Sequence, residues 1–230
     1  MIYSKSQLRA IANIHDFLEN DQDIFILKGY AGTGKTTLIK YIVDQLKENN
    51  QDTRIMAPTG RAAKVVSDKM DDEVYTIHKS IYSLNHLIEH ESTNDNSGSF
   101  KYFFGLKFND DSSNCIYIID ESSMISNNFS ESLFFRFGTG HLLNDLINYT
   151  QVKNKKLNRK IIFIGDTAQL PPIGMEYSPA LDNNYISNIY QLTSSEVELN
   201  DVIRQSKGSG ILNNATSLRN SILTSKYNQF

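Results

Sequence analysis

Cysteine is nearly missing from this chain: there is one, Cys115, in 230 residues. That excludes an internal disulfide and a cysteine-rich metal site, and it fits a reducing, cytoplasmic compartment. The stretch NCIYIID around Cys115 gives it the character of a small buried apolar residue. Long apolar runs are missing too. None approaches the ~20 residues that a membrane span needs. The N-terminal MIYSKSQLRA has no apolar core followed by a small-residue cleavage site, so neither a signal peptide nor a membrane partner is expected. An excess of positive charge is also lacking. With 23 Lys and Arg against 26 Asp and Glu, the net charge is −3. No global basic field draws nucleic acid, and any such contact must be local. Internal repeats are not found. What remains is 40% hydrophobic and 21% charged, an ordinary globular composition. It has room for one large α/β domain, or one domain with a small insertion.

Four apolar, β-branched runs read as buried parallel strands: DIFIL (23–27), TRIMA (53–57), CIYIID (115–120) and KIIFIGD (160–166). Helical stripes lie between and before them. Residues 4–20 carry Leu8, Ile11, Ile14 and Leu18 on one face, and 35–49 carry Leu38, Ile42 and Leu46. Residues 60–70 carry Ala63, Val66 and Met70, and 75–88 carry Ile77, Ile81, Leu84 and Ile88. Strands alternating with helices predict a doubly wound, mostly parallel α/β sheet with helices on both faces. In such folds ligands sit at the carboxyl ends of the strands, and the polar residues of interest cluster there.

The first cluster is GYAGTGKTT (29–37), which matches G-x-x-x-x-G-K-[ST] in full and stands between a predicted strand and a predicted helix. Glycines let backbone N–H groups turn inward and form a nest for phosphate oxygens, and the helix N-terminus adds its unpaired N–H groups. The nucleotide-binding candidates are Gly29, Gly32, Thr33, Gly34, Lys35, Thr36 and Thr37. Lys35 reaches the β and γ phosphates, and Thr36 ligates Mg²⁺. The second cluster is DESS, closing the run CIYIID: Asp120 is a metal-side carboxylate, and Glu121 is placed to polarise an attacking water. An acid pair of this kind argues against small-molecule kinases, which need a substrate hydroxyl to attack. No clear N-K-x-D guanine reader is found, which counts against a GTPase. ATP and Mg²⁺ are therefore the expected ligands.

The stretch FIGDTAQLPPIG (163–174) decides the class. Its Gly-Asp-x-x-Gln-Leu-Pro-Pro resembles motif III of superfamily 1 DNA helicases, most of all the RecD-like and Dda-like branch. Other stretches follow in that family's order. APTGRAA (57–63) resembles motif Ia, which contacts single-stranded DNA, and TIHKSI (76–81) resembles the next DNA-contacting motif. DESSM (120–124) resembles motif II, and LNDVIRQSKGSGIL (199–212) resembles motif IV. The resemblance runs from about residue 3 to 220. It implies a RecA-like P-loop NTPase fold, an ATP-hydrolysing motor, a single-stranded DNA partner and 5′-to-3′ polarity. It also implies that Arg204 approaches the γ-phosphate, and that Pro58, Thr59, Arg61 and His78 face the DNA. On the residues themselves, the Gln169 amide can sense the γ-phosphate, and the prolines after it stiffen the exit. Gln7 resembles the glutamine that reads adenine, yet Ser4-x-x-Gln7 is also a capping box, so two readings stand for it. Likewise His78 reads either as a DNA contact or as a partly buried histidine satisfied by its neighbours, and Lys64 as a DNA flank or a solvated face.

Motor enzymes of this family carry two RecA-like domains, and motifs V and VI of the second are not found here. The expectation is a single domain over 1–230, with a small insertion at about 85–114 and the second motor domain absent from this chain. Such a domain alone is expected not to unwind duplex DNA. An ATPase that moves on or remodels nucleic acid without unwinding is the alternative. Residues 90–99 read as an exposed loop, and the aromatic run FKYFFGLKF (100–108) as a short hairpin strand beside it, packed on the core or splitting the duplex. The basic connector TQVKNKKLNRK (150–160) reads as solvated or, less simply, as a nucleic-acid contact. In FGTGHLLNDL the Gly-x-Gly is not a nucleotide site, and His141 is structural.

Overall fold

The computed structural model describes residues 3–91 and 100–201, together with Asn214, Ser217, Leu218 and Ser221. Arg204 lies outside the described residues. The main body is a six-stranded sheet with the order β3-β2-β6-β8-β1-β9. Its strands are β1 (Ile24–Gly29), β2 (Thr53–Ala57), β3 (Tyr75–Thr76), β6 (Ile116–Ile119), β8 (Lys160–Gly165) and β9 (Ser194–Leu199). All neighbouring pairs are parallel. The four expected strands form its centre, and β3 and β9 complete its two edges.

Alternation along each strand splits the core in two. In β1, Phe25 and Leu27 face the helices α1 (Lys5–Glu19), α2 (Lys35–Glu48) and α3 (Gly60–Met70), whose stripes supply Ile14, Phe17, Leu38, Ile42 and Val66. Ile24 and Ile26 point to the other face, against α4 (Ile77–Ile81), α5 (Leu142–Thr150) and the segment around Leu181 and Tyr190. Both layers are apolar and closed, as a doubly wound sheet requires. Cys115 is fully buried, and burial pushes its thiol up to about 12.

The helix expected over 75–88 is not formed. Residues 75–76 are a strand, α4 lasts one turn and a half, and Tyr82 leaves the helical region at φ −103, ψ 143. From there β4 (Tyr82–Glu91) pairs antiparallel with β5 (Phe100–Leu106), and β7 (Phe135–Phe137) adds to β5 in parallel. The spacing of Ile77 and Ile81 was helical as read. Beyond them, pairing with the aromatic run FKYFFGL outweighs local periodicity. This three-stranded sheet draws on residues both inside and well beyond 85–114, since β7 comes from 135–137. It leans on the main core: Phe104 and Phe137 stack at 4.9 Å and pack against that core.

The basic connector is not simply solvated. Arg159 is buried and donates through Nε to the Ser112 carbonyl at 3.0 Å. Lys160 is also buried, and its ammonium meets the carbonyls of Phe17 and Gln22 at 2.9 Å, with Asn20 a third acceptor. These are the carbonyls at and just beyond the end of α1, where a cation is favoured.

Candidate nucleotide site and nucleic-acid edge

The turn from β1 into α2 is shaped by two glycines, Gly32 at φ 86 and Gly34 at φ 83. Residues with a Cβ rarely adopt this left-handed region. Thr33 between them is fully buried, and its hydroxyl donates to the Tyr30 carbonyl at 2.8 Å. Gly34 is the N-cap of α2, and no side chain caps that helix. Its first N–H groups therefore point at the turn without a side-chain acceptor, the usual arrangement for an anion. The Lys35 ammonium is held against the turn by the carbonyls of Gly29, at 2.6 Å, and Tyr30, at 3.1 Å.

Asp120 stands where β6 ends and is 5% exposed. Burial pushes its carboxyl above the usual carboxylate range. The Glu121 N–H it accepts, at 2.9 Å, and the Lys35 charge work in the opposite direction. A buried carboxylate in the field of the P-loop lysine, beside an uncapped helix start, is a donor set that fits phosphate together with a hard divalent cation. Glu121 itself is half-buried and holds φ 52, ψ 37. A left-handed backbone at a non-glycine residue is uncommon, and such residues gather at functional sites.

From β8 the chain turns at Asp166, which is buried and accepts the Ala168 N–H at 3.0 Å. The turn delivers Gln169, whose Oε1 accepts a hydrogen bond from the Ser123 hydroxyl at 3.4 Å. Ser123 in turn accepts the Ser178 hydroxyl at its carbonyl, at 2.8 Å. The loops after β6 and β8 are thus joined side by side. In the sequence Ser123 is legible only as part of DESS, three residues after Asp120, with no role of its own.

Gln7 is 3% exposed. The capping box is formed: Ser4 N–H donates to Gln7 Oε1 at 3.0 Å, and Gln7 N–H donates to Ser4 Oγ at 3.3 Å. The amide also donates from Nε2 to the Thr33 carbonyl at 3.3 Å. Gln7 therefore caps α1 and touches the P-loop at once.

The nucleic-acid candidates lie on the same carboxyl edge, farther along the sheet. The strand order puts β8 and β6 between β1 and β2, three steps of roughly 4.8 Å each. After β2, Pro58 is half-buried, and Thr59 caps α3 by accepting the Ala62 N–H at 3.2 Å. Arg61 is exposed. Lys64 pairs with Asp68 at 2.7 Å, one turn on along α3, which accords with a solvated face. His78 follows β3, which lies beside β2 with Thr76 opposite Ala57. Its ring is half-buried against Tyr82 at 5.6 Å and Phe137 at 5.1 Å. Burial lowers its pKa, and Asp145 opposes that shift. His141 is held through Nδ1, 2.8 Å from the Asn127 carbonyl. The Gly-Thr-Gly turn encloses the carboxylate of Asp145 and makes no phosphate nest.

Among the described residues no helix is long and apolar enough to cross a membrane. The fold and the P-loop together define a RecA-like P-loop NTPase domain. The chain belongs to the AAA domain family AAA_30, which matches residues 2–226. It is 30% identical, over 95% of its length, to an uncharacterized protein of Acanthamoeba polyphaga mimivirus, of which it spans 47%. It is 32% identical, over 84% of its length, to an uncharacterized protein of Methanocaldococcus jannaschii, of which it spans 15%. The fold is shared with Pif1 from Bacteroides sp in complex with ADP-AlF4, at a TM-score of 0.56 and 19% identity, over 100% of this chain and 48% of that one. Pif1 helicase from Candida albicans gives a TM-score of 0.56 at 18% identity, over 96% of this chain and 44% of that one. The chain thus spans less than half the length of the relatives named.

Proposed function

We propose that this chain is the first motor domain of a 5′-to-3′ DNA helicase, binding and hydrolysing ATP with Mg²⁺ and responding to single-stranded DNA. One observation carries the reading. A single sheet edge holds the P-loop, the buried Asp120 with Glu121, the Ser123–Gln169 contact, and, beyond β6, the Pro58–Thr59–Arg61 turn and His78. A complex of Bacteroides Pif1 with ADP-AlF3 and single-stranded DNA shares this fold, at a TM-score of 0.53, and that supports the assignment of partner.

In this reading the N–H groups of residues 32–37 and the Lys35 ammonium bind the phosphates. Lys35 exchanges its carbonyl contacts for phosphate oxygens. Thr36 and Asp120 would hold the metal, which would supply positive charge against the charge that develops on the phosphates. Glu121 orients and deprotonates the attacking water. Gln169 reports the γ-phosphate to the Ser123 loop, and Arg204 adds positive charge at the same phosphate. Gln7 holds the Thr33 peptide in place and offers the rest of its amide to adenine.

The test is ATP turnover by the chain with and without a single-stranded oligonucleotide, beside a partial-duplex unwinding assay. Lys35→Ala is expected to abolish nucleotide binding. The chain alone is expected to bind nucleotide and leave duplex intact. ATP binding unaffected by Lys35→Ala would defeat the nucleotide site, and robust unwinding by residues 1–230 would defeat the single-domain reading.

A further inference from the structure

Asp145 is 0% exposed, yet nothing in the nucleotide site uses it. Its carboxylate accepts three hydrogen bonds from neutral donors in two other parts of the chain. Oδ2 accepts the Tyr82 hydroxyl at 2.7 Å and the Thr139 N–H at 3.0 Å, and Oδ1 accepts the Thr139 hydroxyl at 2.7 Å. Burial and Asp145 itself push the Tyr82 phenol far up, so its hydroxyl stays protonated as a donor at any working pH. Between Phe137 and Thr139 stands Gly138, at φ 47. A Cβ there would collide with the Asp145 carboxylate, so the turn is built tight against it.

The two groups that Asp145 grips are tied to the two walls of the His78 slot. Tyr82 provides one wall directly, with its ring 5.6 Å from the imidazole. Phe137 provides the other, at 5.1 Å, and Thr139 lies two residues along the same turn. The walls also touch each other, Tyr82 to Phe137 at 5.1 Å. His78 belongs to α4, which packs on the main sheet, whereas Tyr82 and Phe137 belong to β4 and β7 of the three-stranded sheet. The carboxylate, on α5, therefore ties the start of β4 to the turn after β7 at the point where the imidazole is held.

The geometry points to Asp145 as the positioning residue of His78: acting through Tyr82 and Thr139, it fixes the aromatic slot that presents the imidazole to single-stranded DNA. This rests on the reading of His78 as part of the nucleic-acid track. A loose slot would let the ring rotate among orientations, and the contact would lose the benefit of being set before binding.

Two readouts on the 230-residue chain separate the proposal from the reading beneath it. The first is the NMR signal of the His78 ring, assigned by its loss in His78→Ala. The second is affinity for a fluorescent single-stranded oligonucleotide, with binding of a fluorescent ATP analogue as control. Tyr82→Phe and Thr139→Val are expected to shift the His78 signal and weaken oligonucleotide binding about three- to tenfold, leaving nucleotide binding unchanged. Thr139→Ser, which keeps the hydroxyl, is expected to restore both. Thr139 is exposed, so its variants test the idea even if Tyr82→Phe fails to fold. An unmoved His78 signal in Thr139→Val overturns the positioning role. A weakened His78→Ala beside unweakened Tyr82→Phe and Thr139→Val overturns the proposal and spares the track. Oligonucleotide binding insensitive to His78→Ala, or absent from the unaltered chain, overturns both.

Discussion

Two carboxylates, Asp120 and Asp145, are buried to nearly the same degree, at 5% and 0% exposed, and they are treated in opposite ways. Asp145 meets three donors from Tyr82 and Thr139 and has little acceptor capacity left. Asp120 accepts one hydrogen bond among the described residues, from the N–H of the next residue, and is otherwise left to the field of Lys35 and against the charge of Glu121. Burying a charge is costly unless it is compensated. At Asp145 the compensation is internal and serves architecture. At Asp120 it is incomplete, and a carboxylate kept short of donors at a strand end is available to a cation. In the proposed function, the metal side of the nucleotide site sits where satisfaction is withheld.

The strongest way to break this contrast is to alter the chemistry beside Asp120. Glu121→Gln removes the carboxylate proposed as the base but keeps the size and polarity of the side chain. Turnover is expected to fall by about 10²- to 10⁴-fold, the usual worth of a positioned base, with nucleotide affinity held within about threefold. ATP turnover by Glu121→Gln equal to that of the unaltered chain would move the role of activating water to another residue.

The second test exchanges the two acids for neutral residues and reads stability instead of turnover. Asp145→Ala leaves the buried Tyr82 hydroxyl without its acceptor, at about 1–3 kcal/mol, and also releases the Thr139 N–H and hydroxyl. A loss of about 3 kcal/mol is expected, lowering the melting temperature by about 6–12 °C for a domain of this size. Asp120→Asn removes an under-compensated charge and is expected to leave the melting temperature unchanged or raise it, while metal-dependent nucleotide binding is lost. Equal destabilisation by the two changes would show that both acids are architectural.

The same contrast explains which parts of the molecule were readable in the sequence. The site around Lys35 is made of short stretches, each carrying its geometry locally: glycines for the turn, a lysine at the helix start, an acid closing an apolar strand. Each of these is a statement about neighbours in the chain. Helices α1, α2 and α3 were readable for the same reason, since a stripe repeating every three to four residues is local. The three-stranded sheet was not. Its strands come from 82–91, 100–106 and 135–137, and Leu84 and Ile88 continue the helical spacing of Ile77 and Ile81 past the point where the helix stops. Only the pairing partner, far along the chain, decides the outcome there. The roles of Asp145 and Lys160 were hidden on the same grounds. The aspartate in FGTGHLLNDL carries no signal of its own, and the lysine in KNKKLNRK reads as part of a solvated connector, until the fold brings Tyr82 to the one and the end of α1 to the other. For Gln7 the rival readings are an adenine contact and a capping box; the structure forms the capping box, and the other end of the amide meets the Thr33 carbonyl of the P-loop.

The smallest expected effect sharpens the contrast at the surface, where burial no longer helps. Arg61 and Lys64 stand on the same exposed turn of α3 with the same charge. Lys64 is matched by Asp68 at 2.7 Å, an exposed pair of the kind worth about 0.3–0.5 kcal/mol, while Arg61 stands next to the Thr59 cap, where helix N–H groups gather. If the start of α3 receives a nucleic-acid phosphate, Arg61→Ala is expected to weaken oligonucleotide binding about threefold and to reduce the salt dependence by roughly one phosphate contact. Lys64→Ala, whose charge is already answered by Asp68, is expected to change neither the affinity nor the salt slope. Binding titrations at several salt concentrations distinguish the two. Equal slopes for both variants would mean that the start of α3 offers only a diffuse charge, and that the track lies elsewhere on the edge.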